Sequence, residues 1–138
     1  MIVRTALLGA MVLCTTSLAM AEEVLYCVET DAAGFKWDNQ GHATHTTFLP
    51  ARYIIKITSQ TERIITPMTG DVAGISDQYE CKSVVSDKDQ ITCRDVIGGL
   101  APWIFYHNTT FARGFLFGPP AGGTDPNIMI SYGTCTKF

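Results

Sequence analysis

Two histidines three residues apart, in the stretch Asp38-Asn39-Gln40-Gly41-His42-Ala43-Thr44-His45, come nearest to chemistry in this sequence. His42 and His45 with the carboxylate of Asp38 could share a metal ion, since imidazole and carboxylate are the usual ligands of a divalent cation. The pair falls in a polar stretch rich in turn residues, however, and a loop does not set ligand geometry as a helix does. His107, the third histidine, follows Tyr106 in an apolar stretch and is expected in the core or at its rim. No Gly-x-Ser-x-Gly elbow offers a nucleophile, and no glycine loop between a strand and a helix offers a phosphate cradle. Gly98-Gly99 and Gly122-Gly123 are expected as turns. Asp87 and Asp89 flank a turn, where carboxylates commonly serve turn formation and solubility. These observations point to a non-enzymatic protein with no cofactor.

The cysteines point to scaffold. Met1-Ile2-Val3-Arg4, the apolar run Ala6 to Leu13 and the small-residue site Ala19-Met20-Ala21 have the layout of a secretory signal peptide cleaved near Ala21. The run is shorter than the ~20 residues a spanning helix needs, and no later stretch supplies one. Cys14 follows the bulky Leu13, where lipoprotein processing takes a small residue. Of 138 residues the leader takes 21, leaving 117 for a single domain, residues 22–138, in the periplasm or outside the cell.

Four cysteines remain in this exported chain: Cys27, Cys81, Cys93 and Cys135. An even count implies disulfides, with three possible connectivities. In Tyr79 to Asp95, placing Cys81 opposite Cys93 also sets Glu80 opposite Arg94 and Lys82 opposite Thr92. That agreement favours a hairpin with its own bond and pairs Cys27 with Cys135. Four thiolates around zinc would lack any Cys-x-x-Cys pair. The turn at Ser86-Asp87-Lys88 has no glycine for a left-handed position, so a wider loop from Val84 to Gln90 is an equal alternative.

The elements that would position these residues are strands. Glu23 to Val28 alternates, Thr30 to Gly34 reads as a turn, and Phe35-Lys36-Trp37 as a short extended piece. Arg52 to Thr58 places Tyr53, Ile55 and Ile57 on one face, and Glu62 to Thr66 is expected to stop at Pro67. Asp71 to Asp77 is expected to be irregular. Trp103 to His107, Phe111 to Phe117 and Asn127 to Cys135 complete the set. No window shows a capped apolar helix, so the chain is all-β, with eight or nine strands. Tied ends favour an up-and-down antiparallel barrel, calycin-like and of about eight strands; a β-sandwich is the alternative.

Binding is expected in the loops at 38–47 and 118–126, or on an apolar ligand in the barrel mouth held by Trp103, Phe105, Phe115 and Phe117. Side chains filling the interior would leave that ligand no room. Asn108-Thr109-Thr110 matches a glycosylation acceptor and also reads as a plain turn. With nine basic and thirteen acidic residues after the leader and no basic stripe, nucleic acid is not an expected partner. An envelope protein or a small apolar ligand is.

Two outlines resemble known families. Gly34-Phe35-Lys36-Trp37 is similar to the Gly-x-Trp signature near the first strand of lipocalins, with one residue more, and implies a small-ligand carrier. Tyr26-Cys27 with the late Cys135 resembles small periplasmic lysozyme inhibitors, without their Ser-Gly-x-x-Tyr loop, and implies a hydrolase inhibitor.

Overall fold

Nine antiparallel strands, eight of them closed into a barrel, make up the computed structural model, which describes residues 22–38, 40–70, 77–84, 86–96, 102–116 and 127–138. The leader, residues 71–76, Gly98-Gly99, Phe117 and the loop 118–126 lie outside the described residues. The strands are β1 (Glu23–Trp37), β2 (Ala43–Thr47), β3 (Arg52–Ser59), β4 (Glu62–Thr69), β5 (Gln78–Val84), β6 (Asp87–Asp95), β7 (Trp103–Tyr106), β8 (Thr110–Leu116) and β9 (Asn127–Lys137). From β3 to β9 each strand pairs with the next, and β1 closes the ring by pairing with both β3 and β9. Closure removes the open sheet edges that an eight-stranded sheet would otherwise expose. β2 is the additional strand, paired with the second half of β1.

Both expected disulfides are formed, each between residues directly opposite one another. Cys27 faces Cys135 across β1 and β9, and Cys81 faces Cys93 across β5 and β6. Glu80 stands opposite Arg94 and Lys82 opposite Thr92, as the spacing requires. The hairpin end differs from both alternatives: Val84 pairs with Asp87, and the register slips between Ser83 and Val84, so a bulge takes up the extra residues.

β1 is the main departure from the sequence reading. Thr30 to Gly34 is strand, not turn, and β1 runs unbroken to Trp37. An irregularity between Glu29 and Asp31 shifts the alternation by one residue, so Glu29 and Ala32 both point inward. Gly34 belongs in this strand because a Cβ there would lie 1.8 Å from the Ile128 carbonyl oxygen. The loop expected at 38–47 is a tight turn followed by β2. β4 likewise continues through Pro67 to Thr69: Pro67 lies opposite Tyr53, beyond the residues of β4 that pair with β5.

The interior is packed. Leu25, Tyr53, Ile55, Ile65, Tyr79, Trp103, Phe105, Phe111 and the four half-cystines form one cluster. Ala32, Phe48, Phe115 and Met129 form a second where β1 and β9 leave the barrel. Trp103 stacks on Phe105, with centroids 5.8 Å apart, and meets Tyr53 edge-on at 5.0 Å.

Candidate functional site

The turn Asp38–His42 forms because Asp38 Oδ1 accepts the backbone N–H of Gln40 and of His42, both at 2.8 Å. Asp38 Oδ2 lies 3.1 Å from His42 Nδ1. These backbone donors hold the Asp38 carboxyl below its usual range, led by the His42 N–H. His45 is separate, on β2, with its ring 5.9 Å from that of Phe35 and edge-on to it. The turn thus unites Asp38 with His42 and leaves His45 with an aromatic neighbour. No group of three or more His, Cys, Asp or Glu side chains suited to a metal occurs among the described residues. His107 is an exposed turn residue, not a core one, with Nε2 3.6 Å from Asp89 Oδ2. It and Asn108 have left-handed φ values of 50° and 55°, as a primed turn between β7 and β8 requires.

Of the four aromatic candidates for ligand binding, Trp103 and Phe105 are fully buried against Tyr53, Tyr79 and Phe111. Phe115 belongs to the second cluster. The interior around the first two is occupied by the protein's own side chains.

Polar groups that the sequence reading did not assign lie inside the barrel. Glu29 Oε1 accepts hydrogen bonds from Ser131 Oγ at 2.6 Å, Tyr53 Oη at 2.8 Å and Arg113 Nε at 2.8 Å, while Oε2 accepts the Ala51 N–H at 2.7 Å. Burial favours the protonated acid, but the Ser131 and Ala51 hydrogen bonds, the Arg113 charge and the Tyr53 hydroxyl outweigh it and hold the carboxyl below its ordinary value. Burial, with the neighbouring Glu29 carboxylate, drives the Tyr53 hydroxyl far up, so Tyr53 is a donor. Both charged side chains of the pair are sealed from solvent, at 2% and 0% exposure, and with Ser131 they brace β1, β8 and β9. The visible signal was Arg113 itself, alternating with Phe111 and Phe115: a cation on an aromatic inner face needs a buried acid.

A second buried arginine, Arg63, lies with its guanidinium 4.0 Å from the Phe105 ring centroid. Its Nη2 donates to Asn108 Oδ1 at 2.7 Å, and Nη1 has no partner among the described residues. Desolvation pulls its pKa down to about 10.

The outer surface is divided in two. On β3 to β6 the outward residues include Arg52, Lys56, Glu62, Glu80, Lys82 and Arg94, with ion pairs Lys56–Glu22 and Arg94–Glu80, both at 3.3 Å. On β7, β8, β9 and the second half of β1, the outward residues include Ile104, Tyr106, Ala112, Gly114, Leu116, Ile128, Ile130, Tyr132, Ala33 and Phe35. Among the described residues of these strands that share the outward register, Asp31 is the only charged one; Lys36 on β1 and Lys137 on β9 have the opposite register and are exposed. Register makes the apolar residues contiguous: Leu116, Ile128, Phe35 and His45 form one row, Gly114, Ile130 and Ala33 the next, and Ile104, Ala112 and Tyr132 a third. A shallow groove of about 390 Å³ runs along it, between Phe35 and His45 on one side and Ile128, Ile130 and Tyr132 on the other. Where β1 and β9 extend beyond the barrel, Phe48, Phe115 and Met129 lie beneath the sheet, with Lys36 over the Phe48 ring.

The fold and this surface define a disulfide-linked antiparallel β-barrel with one additional strand and a two-sided outer charge distribution. Comparison with family models, with curated proteins and with solved structures returned no match to this chain. No helix among the described residues is long and apolar enough to cross a membrane.

Proposed function

We propose that this protein is a non-enzymatic binding module, exported and processed near Ala21, that docks a protein partner in the cell envelope through the uncharged half of its barrel. The observation that carries the reading is the division of the outer surface. Depletion of charge together with exposed Tyr and Phe is the composition of a protein interface core, and an apolar patch of this extent on a soluble protein marks an interaction surface. Two disulfides suit an oxidising compartment, in keeping with export. The sealed Glu29–Arg113 pair and the packed interior give no support to catalysis or to carriage inside the barrel.

A photo-crosslinking residue placed at Leu116, on the apolar half, tests this in cells expressing the full chain. Illumination is expected to yield a discrete protein adduct, while the same probe at Lys82, on the charged half, yields none. Equal labelling at the two positions, or no adduct at Leu116, would overturn the reading.

A further inference from the structure

We infer that the occupant of the uncharged half is a second copy of this chain, packed sheet against sheet about a two-fold axis, a step that rests on the reading of that face as a protein-docking surface. The first argument is area. Phe35, Ile104, Tyr106, Leu116, Ile130 and Tyr132 are 43%, 40%, 45%, 55%, 68% and 55% exposed. At ~200 Å² for each large side chain, about half of it open to solvent, the six present roughly 600 Å² of contiguous apolar surface. That reaches the upper end of what an ordinary monomer exposes in one patch, and with Ala33, Ala112 and Gly114 between them it approaches the ~800 Å² per partner of a stable interface.

The second argument is charge. Among the described outward residues of this face, a partner selected by opposite charge would find only Asp31 to pair with, and an anionic lipid surface would find no lysine or arginine. Two identical faces of this kind meet without like-charge cost except at Asp31, which ends the third row and lines the groove. Relief adds a third argument. The tall Ile130 and Tyr132 stand beside the small Ala33, Ala112 and Gly114, so ridge and groove occur on one surface. A two-fold operation sets the ridge of each copy into the groove of the other, and about 390 Å³ admits a large side chain. Sheets packed this way lie ~10 Å apart.

The test is light scattering coupled to gel filtration on oxidised protein exported from the full-length chain, loaded from ~1 to ~300 µM, a range that brackets a micromolar Kd. Dimer is expected for the wild type. Ile130→Lys in the middle of the face and, independently, Leu116→Lys at the end of its first row each place an ammonium in the interface and are expected to raise the dissociation constant at least ~30-fold. Lys82→Glu, on the opposite half, is expected to leave it unchanged. Both face variants replace exposed side chains, and a wild-type far-ultraviolet circular dichroism spectrum with a cooperative melt identifies them as folded. A wild type that stays monomeric throughout, or a dimer indifferent to both face variants, overturns the second copy. A Leu116 adduct with a different protein would overturn it too while leaving the docking face standing, so the two readings fail separately.

Discussion

Replacing Glu29 with glutamine tests the polar bracing of the barrel. The carboxylate accepts four hydrogen bonds, three at Oε1 and one at Oε2, and every partner is a donor. A glutamine amide has one oxygen, so in either orientation its NH2 faces at least one of these donors. Arg113 meanwhile keeps its charge, with 2% of its side chain exposed, and loses its ion pair with the Glu29 carboxylate. Removing one member of a buried pair costs about 3–5 kcal/mol, a large fraction of a typical 5–15 kcal/mol total. The assay is urea unfolding of the oxidised protein at constant m-value, where the midpoint is expected to fall accordingly. Adding Arg113→Met should recover part of the loss by removing the buried guanidinium that has lost the Glu29 charge. The pH dependence follows from the depressed carboxyl: Glu29 contributes stability at pH values above its unfolded value near 4.5 and loses it as pH falls through the lower folded value. The gap between wild type and Glu29→Gln should thus be constant from neutrality down to about pH 5 and narrow below 4.5. A loss under ~1 kcal/mol at pH 7 would refute the bracing role.

Three further outcomes are expected. Cys27→Ala/Cys135→Ala should lower stability more than Cys81→Ala/Cys93→Ala, because the bonds span 108 and 12 residues and chain entropy assigns the longer loop roughly 1–2 kcal/mol more; matched denaturant curves decide, and the reverse order contradicts the terminal bond as the principal staple. Arg63→Met should be neutral or stabilising by about 1 kcal/mol, since the guanidinium is desolvated with Nη1 unpartnered among the described residues while methionine can still pack on Phe105; a midpoint drop equivalent to more than ~1.5 kcal/mol would show that its bond to Asn108 matters more than its desolvation. Gly133→Ala should lower the melting temperature sharply, because a Cβ there would stand 2.1 Å from the Val28 carbonyl oxygen and 2.7 Å from Phe111, a clash worth about 1–3 kcal/mol or more; an unchanged melt would mean that β1 and β9 can separate at no cost.

Much of the scaffold was legible because its signals are local or numerical. Alternation placed Tyr53, Ile55 and Ile57 inward, and the agreement of charges around Cys81 and Cys93 set a register that the strands keep. An even cysteine count then assigned Cys27 to Cys135. Both ends of β1 were legible, Glu23 to Val28 and Phe35 to Trp37, but its continuity was not, because the slip between Glu29 and Asp31 breaks the alternation and the glycine at 34 signals a turn, although its reason is the close approach of β9. β2 was hidden for a related reason: a five-residue strand of Ala, Thr and His has no apolar alternation and depends on pairing with β1. Glu29 and Arg113 lie 84 residues apart, and no local pattern joins them. The apolar outer face depends on four strands brought together by closure. Ile104, Leu116, Ile130 and Phe35 are each unremarkable in sequence, and only register makes them a surface.

Sedimentation equilibrium of the oxidised wild-type protein at ~50 mM and ~500 mM salt tests the docking face most directly, since an interface without charge pairs gains nothing from low ionic strength. The expected result is a dimer whose dissociation constant is unchanged or tighter at high salt and which Ile130→Lys converts to monomer. A monomer at both salt concentrations, or a dimer that dissociates as salt rises, would contradict it.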